Sequence, residues 1–184
     1  MHKKCSRSIF IGILCLLLSA QTHAHKAAHG DEWRLGVMRH DTKIDEGGLE
    51  RSFALSAERL WKVENSPVFN SLWNPRPHLG LNLNTDRRTS SAYIGLTWTV
   101  PSTQGFFAEL SLGGAVHDGK LHRPSRHRKA QGSRVLFRET VGIGFECPNH
   151  ETIMIYGEHQ SNCKLASPNP GITSVGIRFG IPLN

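Results

Sequence analysis

Apolar residues recur at every second position along this chain, in eight separate runs. They are Trp33-Leu35-Val37, Phe53-Leu55-Ala57, Leu79-Leu81-Leu83, Ala92-Ile94-Leu96-Trp98-Val100, Phe106-Ala108-Leu110-Leu112, Val135-Phe137 with Val141-Ile143-Phe145, Ile153-Ile155, and Val175-Ile177-Phe179-Ile181-Leu183. A period of two places successive side chains on opposite faces of a strand, so each run has one apolar face. The alternate positions carry Tyr93, Thr97, Thr99, Glu109, Ser111, Arg138, Thr140, Tyr156, Glu158, Ser174 and Arg178, with many glycines. Helical periodicity is scarce. In a soluble lipocalin-like barrel or sandwich the apolar face turns inward. In an outer-membrane barrel it turns outward to lipid and the polar face fills the interior. Alternation alone does not separate the two.

Connection lengths and the strand count favour the membrane barrel. "PSTQ" (101–104) and "PNH" (148–150) are tight, whereas 42–50, 117–132 and 164–171 are longer. Short periplasmic turns and long outer loops give that alternation, and an even strand count fits it. The expected fold is therefore all-β, an eight-stranded antiparallel outer-membrane barrel over 25–184. Segment 61–77 is too long for a periplasmic turn and has no place in this scheme.

The first 24 residues read as an export signal. Lys3, Lys4 and Arg7 precede an apolar run of 12 residues, Ile9 to Ala20, too short to cross a bilayer as a helix. Thr22-His23-Ala24 then offers small residues at a cleavage site. The leader holds 3 of the 22 Lys and Arg and none of the 15 Asp and Glu, so the remainder carries 19 − 15 = +4. That mild excess suits an anionic surface and does not call for nucleic acid. Cys147 and Cys163 remain outside the leader. They fall at opposite ends of a strand of about ten residues, beyond disulfide reach, so two free thiols are expected.

The chemistry concentrates near the end of the chain. Ile153, Ile155, Gly157, His159 and Ser161 share one face of the seventh strand, and that face begins apolar. His159 and Ser161 thus point outward near the outer rim. A His and a Ser two apart can form a base–nucleophile pair, or can simply decorate the headgroup zone. "EHQSN", followed by "PNPGI" and a terminal alternating strand, resembles the lipid A 3-O-deacylase family (PagL-type, also called acyloxyacyl hydrolases). The likeness is firm over 133–184, and "FFAELSLGGAVHDG" (106–119) is similar to the family's fifth strand.

The resemblance implies an eight-stranded outer-membrane enzyme that hydrolyses the ester-linked acyl chain at position 3 of lipid A. It implies Ser161 as nucleophile, His159 as general base and Asn162 in the oxyanion hole, with no metal or other cofactor. The best-described members carry a Glu on the last strand where this chain has Thr173. A threonine cannot stabilise an imidazolium as a carboxylate does. Glu139 is the candidate orienting acid instead. It lies on the outward face of the sixth strand, where a charge among lipid-facing residues is costly. Counting back through the "PNH" turn sets it opposite His159, within contact reach of a directly opposed residue. Glu158 adjoins His159 but points inward.

The basic stretch "KLHRPSRHRK" (120–129) falls on the outer side. Arg123, Arg126 and Arg128 could contact lipid A phosphates, or the stretch could be a solvated loop. Its histidines lack regular metal-ligand spacing. The expected partner is lipopolysaccharide in the outer membrane. Two other readings stay open: a non-catalytic barrel that binds lipopolysaccharide, and a soluble lipocalin-like lipid carrier.

Overall fold

The computed structural model describes residues 30–42, 50–125 and 127–183; the leader, and with it the expected cleavage site, lies outside them. Eight antiparallel strands close into a barrel in sequence order. They are β1 (Asp31–His40), β2 (Ser52–Leu60), β3 (Arg76–Asn84), β4 (Ser91–Pro101), β5 (Phe106–His117), β6 (Val135–Glu146), β7 (Thr152–Ser161) and β8 (Ile172–Leu183). β8 returns to pair with β1, Val37 opposite Ile177, so the sheet has no free edge.

The apolar faces turn outward. Leu35, Leu55, Leu81, Ile94, Ile143, Ile155 and Ile177 are all exposed, while most of the positions that alternate with them are buried. A core of this kind is suited to a bilayer, where lipid covers the outer face. Among the described residues no helix is long and apolar enough to cross a membrane; the strands do the crossing.

Eight strands enclose a space just wide enough for side chains. Here it holds four arginines and four glutamates: Arg34, Arg76, Arg138 and Arg178 with Glu32, Glu58, Glu109 and Glu158. Arg34 grips both oxygens of Glu109 at 2.7 Å, and Arg138 meets Glu158 at 2.7 and 2.9 Å. Arg138 also lies over the Tyr93 ring at 3.6 Å, and Arg178 over Tyr156 at 3.7 Å. Buried charge is tolerated only when paired and hydrogen-bonded, and the interior arranges its opposite charges in contact.

Both sequence-derived turns are present. Cys147 N–H donates to the Glu151 carbonyl at 2.8 Å across the β6–β7 turn. Cys147 and Cys163 are both free thiols, and Cys163 is exposed. The segment without a place in the alternation resolves into a short helix, α1 (Pro67–Ser71), within a connection that runs from 61 to 75.

Candidate active site

Three adjacent strands bring the site together at the outer rim. In the β6–β7 register Glu139 pairs with His159 and Phe137 with Ser161. In the β7–β8 register His159 pairs with Thr173. The imidazole therefore stands between a carboxylate residue on one side and a hydroxyl residue on the other, all on the outward face. The sequence-derived register for Glu139 and His159 agrees with this pairing.

The hydroxyl meets the ring at Nδ1. His159 Nδ1 lies 2.9 Å from Thr173 Oγ1. Occupying Nδ1 leaves Nε2 as the nitrogen able to serve a serine. A carboxylate partner would force the proton onto Nδ1 and keep Nε2 basic. A hydroxyl can donate or accept, so Thr173 positions the ring without selecting its tautomer. Glu139 is half-buried in the next strand. Glu158 is buried inside the barrel, where it accepts hydrogen bonds from Asn82 and Gln160 at 2.8 Å and from Arg138.

Ser161 ends β7, and its Oγ lies 4.0 Å from Cys163 Sγ. Beside it the outer wall opens into a cavity of about 450 Å³ lined by Gly114, Val135, Phe137, Leu165 and Ala166. Gly114 faces outward, and a Cβ added there would meet only the Leu136 carbonyl, at 3.9 Å. The absent side chain leaves an apolar trough next to the serine.

Asn162 also lines this cavity, but its side-chain amide is committed to the loop. It is buried, and its Nδ2 donates toward three carbonyls: Gln131 at 2.7 Å, Ala166 at 3.0 Å and Pro168 at 3.2 Å. Its main-chain N–H donates to Asn169 Oδ1 at 3.0 Å. In this arrangement Asn162 organises the loop after the serine. An amide with two hydrogens has none left over for a further acceptor.

A second set of residues, not expected from the sequence, braces the histidine. Lys129 ends the basic stretch 120–129, which the sequence leaves open as a phosphate contact or a solvated loop. It is buried, with Nζ 2.6 Å from Asp41 Oδ1 and 3.1 Å from the Gly171 carbonyl. Gly171 has φ +67, a conformation that favours glycine. A Cβ built on it would lie 2.8 Å from His159 Cε1 and 3.3 Å from Nε2. The glycine backbone thus bears directly on the imidazole edge. Thr42, next to Asp41, donates its N–H at 2.6 Å and its hydroxyl at 3.0 Å to the Thr173 carbonyl.

Glu50 completes the brace. It accepts the Lys129 N–H at 2.6 Å and the Thr89 N–H at 2.9 Å. Burial alone would raise its carboxyl, but the His40 imidazole 3.5 Å away and hydrogen bonds from Thr89 and the Lys129 N–H outweigh this and hold it below the ordinary value.

The arginines of the basic stretch divide. Arg128 donates to the Arg88 carbonyl at 3.0 Å and lies 3.7 Å from Asp118, so it ties the β3–β4 and β5–β6 loops together. Arg123 is exposed, with φ +57. Arg126 lies outside the described residues.

The model for the lipid A 3-O-deacylase (PagL) family matches residues 57–182. Among solved structures the chain is similar to the outer membrane enzyme PagL, with a TM-score of 0.64 at 18% identity over 83% of this chain and 99% of that one. It also resembles the N-terminal β-barrel domain of OprF from Pseudomonas aeruginosa, with a TM-score of 0.54 at 9% identity over 83% of this chain and 98% of that one. No curated protein matches the sequence.

Proposed function

Because the chain belongs to the lipid A 3-O-deacylase family, we propose that it hydrolyses the ester at position 3 of lipid A, with Ser161 as nucleophile. The observation that carries this reading is the placement of His159 and Ser161. Both stand on the lipid-facing wall at the outer rim, with Nδ1 engaged at 2.9 Å and an apolar trough alongside. A soluble carrier would hold its ligand inside the barrel, and this interior is filled with paired charge.

In the proposed reaction His159 Nε2 takes the proton of the Ser161 hydroxyl. The Ser161 oxygen attacks the acyl carbonyl. The tetrahedral intermediate expels the sugar oxygen of lipid A, which leaves with the proton held by His159. Water then attacks the acyl-enzyme, again giving its proton to His159, and the fatty acid departs as Ser161 is restored. The acyl chain lies along the trough over Gly114 and Phe137. Asn162 serves the oxyanion by giving up one of its three loop carbonyls, which trades a neutral acceptor for a charged one.

Orientation is shared. Thr173 holds Nδ1, and Glu139, directly opposed on β6, offsets the positive charge the ring gains. Arg123 contacts a lipid A phosphate from the outer loop. Residues 1–24 direct export, and the barrel sits in the outer membrane with its site at the outer face.

Purified protein incubated with lipid A tests this, with mass spectrometry following loss of the 3-linked chain. The presence of Thr173 rather than a carboxylate at Nδ1 favours one alternative, a barrel that binds lipopolysaccharide without cleaving it. Binding without any mass change would select that alternative.

A further inference from the structure

We propose that the β2–β3 connection is a membrane-interface anchor whose apolar side seats in the phospholipid of the periplasmic leaflet. Two other connections, 102–105 and 147–151, lie at the same end of the barrel, which short turns mark as periplasmic. Four or five residues suffice for those turns, whereas this one runs from 61 to 75 and contains α1. The surplus length folds back against the outside of the wall rather than out into water. Trp98 shares the outward parity of Ile94, and its indole N–H donates to the Leu72 carbonyl at 2.8 Å. This bond fixes the end of α1 against the lipid-facing surface.

The exposed apolar residues of the segment continue the lipid-facing belt. α1 has no buried residue, and Val68 and Trp73 are 64% and 74% exposed. A five-residue helix does not hold itself together in water, and one with no buried face gains nothing from the barrel core. Lipid is the occupant that supplies the missing burial. All four tryptophans of the chain, Trp33, Trp61, Trp73 and Trp98, lie at this end. Tryptophan is favoured at the membrane–water boundary, where its ring is buried and its N–H stays wet.

The polar rim has matching chemistry. The Arg59 guanidinium lies 5.7 Å from both the Trp33 and Trp61 rings and bonds Asp31. Asp31 also accepts the Lys62 N–H at 2.8 Å, and Lys62, Glu64 and Asn65 are exposed beyond it. The connection therefore has a charged edge at 62–65 and an apolar edge at 68–73, the two sides an interfacial element needs.

Spin labelling of the full chain in phosphatidylethanolamine–phosphatidylglycerol vesicles tests the seating. In a background with Cys5, Cys15, Cys147 and Cys163 replaced by serine, nitroxides are attached one at a time through Val68→Cys, Trp73→Cys and Asn65→Cys. Power saturation is then read with oxygen and with a water-soluble nickel chelate. The anchor predicts that labels at 68 and 73 relax more with oxygen than with nickel, and that the label at 65 does the reverse. Nickel access at 68 and 73 equal to that at 65 would overturn the proposal. So would dipolar broadening at 73 that vanishes on dilution with unlabelled protein, since that would put a second copy on the segment. If either substitution blocks folding, brominated phospholipids replace the labels. Wild-type fluorescence should then lose a quenched component that the Trp73→Phe protein lacks, and equal quenching in the two proteins would overturn the seating.

Discussion

Replacing Gly171 by alanine should slow catalysis far more than it unfolds the barrel. The new methyl carbon would start 2.8 Å from His159 Cε1, where ordinary contact begins at 3.4 Å, so the ring must retreat by 3.4 − 2.8 = 0.6 Å. Misplacing a reacting group by about 1 Å costs roughly 10²-fold, so a shift of this size predicts a loss in kcat of about ten- to a hundredfold. The left-handed φ of +67 adds a backbone cost of about 1–2 kcal/mol for a residue with a Cβ. KM should hold, because the trough over Gly114 is untouched. The control is Gly157→Ala, on the same outward face two residues before His159, where an added Cβ meets nothing within 4 Å. Fatty-acid release against lipid A concentration gives kcat and KM separately. Gly171→Ala with the wild-type kcat, or with a loss no greater than the fall in folded protein, would refute the brace.

The remaining predictions concern the neighbours of the site. Glu139→Gln should lower kcat by about 10²–10⁴, the range that loss of a positioned acid can reach. Glu158→Gln should instead lower the melting temperature, because it leaves Arg138 short of its 2.7 Å partner inside the barrel. Lys129→Met strands Asp41 and should destabilise the outer loops by about 3–5 kcal/mol, visible as faster hydrogen exchange there. The Glu50 carboxyl is depressed below 4.5, so its stabilisation is complete above that pH and lost as pH falls through the lower folded value. The melting midpoint should therefore drop on acidification below 4.5, and less steeply in Glu50→Gln. A maleimide on the exposed Cys163 thiol, 4.0 Å from Ser161 Oγ, should block deacylation, and Cys163→Ser should be resistant.

The wall of this barrel was legible in the sequence because strand parity is local. Reading alternate positions puts Ile153 and His159 on one face, and the tight turn at 147–151 carries the register to Glu139 without further information. The two free thiols follow from the same count. Loops obey no such period. Lys129 ends a run of cations that reads as a phosphate contact or a solvated loop, yet it meets Asp41 across 88 residues and its N–H meets Glu50 across 79. No spacing rule anticipates a partner that distant. Asn162 was visible as a motif residue, but its three carbonyl partners come from loops whose folding alternation does not describe. Thr173 shares the parity of the apolar Val175 and Ile177, so its outward face can be read from the sequence. That its hydroxyl would be the group bonded to Nδ1 depended on side-chain geometry. Segment 61–75 escaped for a different reason, since a five-residue helix is too short to show a period.

The most direct test of the account is the mass of lipid A after exposure to four refolded proteins: wild type, Ser161→Ala, His159→Ala and Glu139→Gln. Wild type should remove the 3-linked acyl chain. The first two variants should leave lipid A intact while still forming the barrel, and the third should be slow. Release at the wild-type rate by Ser161→Ala would contradict the serine mechanism, and an unchanged lipid A mass with wild type would contradict deacylation itself.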